Sequence, residues 1–97
     1  MSVSRDAVVA FLEDLTDGAI VYDGFEDAFI GFAERCSSPG VAIYSYERMI
    51  HILMKRDDMS YGEAVEYIDF NVIGGWVGER TPYVMTGFHN VGLGVVE

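Results

Sequence analysis

His51, His89 and Cys36 are the only imidazole and thiol side chains in the chain, so any zinc or copper chemistry would have to run through them. A zinc site needs three or four ligands, usually with one close pair such as C-x-x-C or H-x-x-x-H. Two histidines 38 residues apart and a lone cysteine do not supply it. Both histidines therefore read as structural or surface residues, Cys36 as a strand-end thiol, and no metal or other cofactor is expected. Ser-His-Asp catalysis would recruit the same two histidines, yet the chain has no G-x-S-x-G elbow, and Ser45 and Ser60 are better placed as helix caps. The acidic stretches Asp23–Asp27 and Asp57–Asp58 break the alternating pattern of a calcium loop. The 16 carboxylates offer many pairs for glycosidase-type acid–base work, and spacing selects none of them. "GGWVG", Gly74–Gly78, follows a helical pattern instead of a strand and lacks the Lys-Ser/Thr of a phosphate loop. No catalytic constellation is visible.

One polar residue stands out. Asn71 falls late in an apolar helical stripe, where an amide is costly unless hydrogen-bonded. It reads as a tie for the Gly74–Gly78 reversal. The alternative is a ligand contact in a pocket around Asn71, Trp76 and Thr81, lined by Tyr44 and Tyr67, which would make the chain a small-ligand-binding or enzymatic module.

The elements that must position these residues follow from periodicity. Ser4 caps a helix over 5–15, with Asp6 in its first turn and Val8, Phe11, Leu12 and Leu15 at i, i+3, i+4, i+7. Asp23-Gly24 between two apolar runs predicts a two-residue hairpin turn joining strands 19–22 and 27–35. "SSPG" predicts a turn before a strand at 41–44. Ser45 caps a helix over 46–56, closed by Lys55 and Arg56 in its last turn. Ser60 and Glu63 form an S-x-x-E capping box that opens a helix over 61–73. Its buried stripe is Tyr61, Ala64, Val65, Ile68 and Val72, and its solvated side is Glu63, Glu66 and Asp69. Gly74-Gly75 predicts a left-handed cap that folds Trp76 back on the helix. A fourth strand is expected near Tyr83–Met85, within a Gly-rich segment over 74–97.

These elements predict a single α+β domain over 1–97: a small antiparallel three- to four-stranded sheet, with a meander over 19–44, packed by a helical hairpin over 46–73 and flanked by the N-terminal helix. A hydrophobic fraction of 51% is enough to bury a core without cross-links. The lone cysteine fits a reducing, cytoplasmic compartment. No window reaches the ~18–20 apolar residues of a membrane span, and no secretory leader is readable.

Charge is the strongest compositional signal. The net charge of −10 argues against binding nucleic-acid phosphates or anionic membranes. It is also uneven, because residues 1–34 carry eight acids against Arg5 alone. An anionic face formed by Asp14, Asp17, Asp23, Glu26, Asp27 and Glu34 is the expected partner-binding surface, suited to a basic groove on another protein. A free sheet edge makes a homodimer the other expected assembly.

The segments Asp23–Ala28, Val41–Tyr44, Asp57–Ala64 and Phe70–Pro82 resemble a family of small uncharacterised proteins of phages and bacterial genomes. That family similarly carries an acidic DG(Y/F)-E-DA hairpin, a VA-(I/L)-Y strand, a DGMS-x-EEA helix start and an FN-x-x-G-x-(W/Y)-x-G-x-x-TP segment. The resemblance spans the middle two thirds of the chain, and Asp58 departs from it where the family often has Gly. It implies a shared fold and a phage-type origin, hence a host cytoplasm and a host protein as partner, and it carries no catalytic residue. The expected role is a non-enzymatic inhibitor of a host defence or nucleic-acid-handling protein.

Overall fold

The computed structural model describes residues 3–88. The chain forms an α+β domain in the order α1 (Arg5–Glu13), a 3-10 turn (Glu26–Ala28), β1 (Phe29–Arg35), β2 (Ser38–Ser45), α2 (Tyr46–Arg56), α3 (Tyr61–Ile68), a π-helical turn (Asp69–Ile73) and β3 (Tyr83–Met85). The expected caps form as the sequence dictates. Ser4 Oγ accepts from Ala7 N–H at 3.1 Å, and Ser45 Oγ accepts from Arg48 N–H at 3.3 Å. At α3, Glu63 N–H donates to Ser60 Oγ while Ser60 N–H donates to Glu63 Oε1, completing the capping box.

The sheet is mixed, with order β1-β2-β3. β1 and β2 pair antiparallel through a turn at Cys36–Ser37, and Ser37 takes the left-handed φ of 65°. The predicted turn at Ser37–Gly40 is thus displaced toward the N-terminus, and Ser38, Pro39 and Gly40 begin β2. β3 pairs parallel to β2, with Tyr44 opposite Val84. The expectation of a wholly antiparallel sheet fails here for a topological reason. α2, α3 and residues 74–82 lie between β2 and β3 in sequence, and a connection of that length can make the crossover that a parallel neighbour requires.

The first predicted strand, 19–22, is absent, and Asp23-Gly24 makes no hairpin. Side chains tie this segment down where a ladder was expected. Tyr22 N–H donates to the Tyr44 hydroxyl at 2.9 Å, Gly24 N–H donates to Glu26 Oε2, and Arg56 Nη1 donates to Gly24 O at 3.0 Å. Gly24, at φ +87°, supplies the positive dihedral that Asp-Gly promised, but within a bend leading to the 3-10 turn.

Arg56 is the clasp of this bend. Its guanidinium lies 5.4 Å from the centre of the Phe25 ring and forks onto both Asp57 carboxylate oxygens at 3.1 Å. The Asp57 hydrogen bond raises the Arg56 pKa and lowers that of Asp57. Arg56→Lys keeps the charge but loses the fork and the reach to Gly24 O. It is expected to lower unfolding stability by about 1 kcal/mol in urea titrations. No change relative to the parent chain would remove the clasp role.

The core sits where α1, β2, α2 and α3 converge. Val8 and Leu12 enter from α1, Ala42 and Tyr44 from β2, Met49, Ile50 and Leu53 from α2, and Ala64 and Ile68 from α3. Phe11 and Leu15, expected on the buried face of the first helix, are about half exposed, although Phe11 sets its ring edge-on against Phe29. No helix among the described residues is long and apolar enough to cross a membrane.

Candidate protein-docking face

The end of α3 departs from its predicted course. Regular α-helix stops at Ile68, and the next five residues form a π turn closed by Gly74 N–H donating to Asp69 O at 3.1 Å. π turns are rare and recur at functional positions. Gly74 is right-handed at φ −76° and ψ −4°, so the predicted left-handed cap is absent; positive φ waits until Gly78. The widened turn keeps Val72 buried and turns Phe70 and Ile73 outward. Tyr46 on α2 holds this turn in place, its hydroxyl donating to Asp69 Oδ1 at 3.0 Å. Burial and the Asp69 carboxylate both push that hydroxyl's pKa up.

From Tyr67 to Val77 the chain presents Tyr67, Phe70, Ile73, Trp76 and Val77 to solvent, with Phe70 79% and Trp76 75% exposed. Trp76 does not fold back on the helix, contrary to expectation. Lone surface apolar residues are ordinary, and five large ones within a short run make this segment the candidate for a docking face. Trp, Tyr and Phe are also the side chains that concentrate binding energy at protein interfaces.

Asn71 is exposed and uses its amide nitrogen on its own helix, donating to Tyr67 O at 3.1 Å. It therefore does not tie the Gly74–Gly78 reversal. That task falls to Thr81, whose Oγ1 accepts from Val77 N–H at 2.9 Å and donates to Gly78 O at 2.6 Å. Tyr44 is buried in the core, 1% exposed, and faces no cleft. An open depression of about 420 Å³ does contain Asn71, together with Met59, Glu63, Glu66, Tyr67 and Phe70; neither Trp76 nor Thr81 lines it.

The acids expected to form one anionic face divide. Asp23 pairs with Arg5 at 2.7 Å, Glu26 caps Gly24 N–H, and Asp27 accepts from Val3 N–H at 2.6 Å. These three lie around the Gly24 bend with Arg56. Asp14 and Asp17 are exposed beyond α1, where Arg80 reaches from the far end of the chain to Thr16 Oγ1 at 2.7 Å. Glu34 is at the other end of β1 from these groups, beside Arg35. Sequence reasoning missed the return of Arg56 and Arg80 to this third of the chain. Nothing local signals contacts 32 and 64 residues apart.

Among the described residues no group of three or more His, Cys, Asp or Glu side chains is arranged to hold a metal ion. His51 is exposed on α2, Cys36 is exposed at the hairpin turn, and His89 lies outside the described residues. No protein family, curated protein or solved structure matches the chain. Its class is therefore set by its own geometry, an α+β domain with an outward-facing aromatic helix end.

Proposed function

We propose that this chain is a small acidic interaction protein that works by binding another protein, with the run from Tyr67 to Val77 as the centre of its docking face. The observation that carries this reading is the solvent exposure of Phe70 and Ile73 on a π turn that is itself pinned by Tyr46 and Asp69, together with that of Trp76 and Val77 just beyond the turn. A fixed backbone presenting rigid aromatics loses little side-chain entropy when a partner covers them. The anionic groups Asp14, Asp17, Asp23, Glu26, Asp27 and Glu34 support a secondary role, steering a basic partner toward the chain. In the phage setting implied by the resemblance, the partner class is a host defence or nucleic-acid-handling protein, and the action is inhibition. Self-association through β1 is less favoured, because its register slips at Phe29/Gly31 and again at Ala33/Arg35, and such bulges blunt an edge.

The test is capture from bacterial lysate by three immobilised chains: the parent, Phe70→Ala/Trp76→Ala, and Asp17→Lys/Glu26→Lys/Asp27→Lys. The alanine pair is expected to reduce the specifically retained protein at least tenfold with circular dichroism unchanged, since interface aromatics commonly contribute about 2 kcal/mol or more each. The lysine reversals are expected to slow association and flatten its salt dependence. Undiminished capture by the alanine pair would falsify this reading of the face.

A further inference from the structure

The depression beside Phe70 has a chemistry of its own. Glu63, Glu66, Tyr67 and Phe70 stand at i, i+3, i+4, i+7, so one helix face carries two carboxylates and two rings. Met59 and Asn71 complete the lining. Asn71 commits its Nδ2 to Tyr67 O, which leaves Oδ1 free to accept. Glu63 Oε1 accepts the capping bond from Ser60, leaving Oε2. Glu66 has no ion-pair partner among the described residues. Apart from the Tyr67 hydroxyl, which can do either, and the second Nδ2 hydrogen of Asn71, the remaining side-chain polar atoms here are acceptors: Asn71 Oδ1, Glu63 Oε2 and the Glu66 carboxylate. From Asp57 to Glu79 the sequence holds six acids and no Lys or Arg, so no neighbour along this stretch supplies the missing donors.

We infer that this depression receives an arginine or lysine side chain from the partner, and that the partner segment is amphipathic and basic, its apolar residues on the exposed aromatics and its cation against Glu66, Phe70 and Asn71. The inference rests on the docking reading above and adds the partner's chemistry to it. A guanidinium carries five donors and no acceptor, the complement of this lining. Its charge is attracted to the faces of Phe70 and Tyr67, and its methylene stem can lie along Met59. An apolar side chain in the same place would strip water from Glu66 without replacing its hydrogen bonds, which is unfavourable.

Three synthetic helical peptides titrated into the 15N-labelled full chain test this: one of Leu and Arg, one with every Arg replaced by Gln, and one with every Leu replaced by Ser. Expected is saturable binding of the Leu/Arg peptide with amide shifts centred on residues 63–77 and on the Asn71 side chain. The Leu/Gln peptide should bind at least tenfold more weakly at the same residues. Glu66→Gln should weaken the Leu/Arg peptide about tenfold, while the charge-matched Glu13→Gln, at an exposed position of α1 outside the anionic set, leaves it unchanged. Equal binding of the Leu/Arg and Leu/Gln peptides at 63–77 overturns the cation site and leaves the apolar docking face standing. Shifts from the Arg peptides spread over the acids of residues 6–34, with none at 63–77, overturn both. Equal losses from Glu66→Gln and Glu13→Gln reduce the effect to net charge and overturn the site.

Discussion

Replacing Tyr44 with alanine is expected to lower the stability of the chain by about 3–5 kcal/mol, as for other large buried rings. A domain of this size holds roughly 5–15 kcal/mol in all. Tyr44 is 1% exposed, and its ring centre lies 5.1 Å from that of Tyr22 and 5.6 Å from that of Phe29. Phe29 in turn meets Phe11 at 5.9 Å, so a single aromatic column links α1, the 19–22 segment and the sheet. Tyr44→Phe isolates the hydroxyl. It keeps the ring but leaves the Tyr22 N–H without its acceptor, at a cost of about 1–2 kcal/mol. Urea unfolding of the two variants should give distinct midpoints in that order. Equal stability of Tyr44→Phe and the parent would show that the hydroxyl does not anchor the segment.

The same hydroxyl sets an alkaline limit. Burial pushes the Tyr44 pKa up, the Tyr22 N–H bond partly opposes this, and the negative fields of Glu26 and Asp23 add to the rise. Tyr22 is shifted upward by burial as well. A raised folded-state value means that the folded chain retains the phenol proton more tightly than the unfolded one. This contribution is therefore fully present below the unfolded value of about 10 and is lost as pH climbs above it toward the folded value. Stability should fall with a steeper slope above pH ~10 in the parent than in Tyr44→Phe. Parallel curves would contradict the assignment.

The features legible from residue order are those whose partners lie within a turn or so. Ser4, Ser45 and the Ser60/Glu63 box each close over three residues, and all three form. The solvated acids Glu63 and Glu66 were also readable, because helical period separates them from Ala64 and Ile68. No strand forms over 19–22; the segment is instead tied by Tyr44 at Tyr22 N–H and, just beyond it, by Arg56 at Gly24 O, 22 and 32 residues away, and no local pattern encodes such partners. The direction of β3 depends on the path of the whole helical pair. At the candidate site, the acceptor-rich face was present in the spacing of Glu63, Glu66, Tyr67 and Phe70. Its meaning was hidden because the π turn after Ile68 changes which later residues point outward. A stripe drawn at a constant 3.6 residues per turn places Phe70 and Ile73 without knowing of that extra residue.

Gly40→Ala is the second large effect expected, at about 1–3 kcal/mol for a single added methyl. Gly40 lies on β2, and the Phe32 ring of β1 covers it from the neighbouring strand. A Cβ built on Gly40 would overlap that ring. Phe32 pairs with Ala42, so Gly40 is its diagonal neighbour on the same face of the hairpin. Gly40 is not among the positive-φ residues, so its backbone would accept alanine without strain. The requirement for glycine then comes from the ring alone, and a double-mutant cycle can separate the two causes. In a Phe32→Ala background the overlap is gone, and Gly40→Ala should become neutral or stabilising by about 0.5–1 kcal/mol, the usual gain of alanine over glycine in a strand. If Gly40→Ala costs the same with and without the Phe32 ring, the constraint lies in the backbone after all, and the ring's place over Gly40 is incidental to holding the hairpin in register.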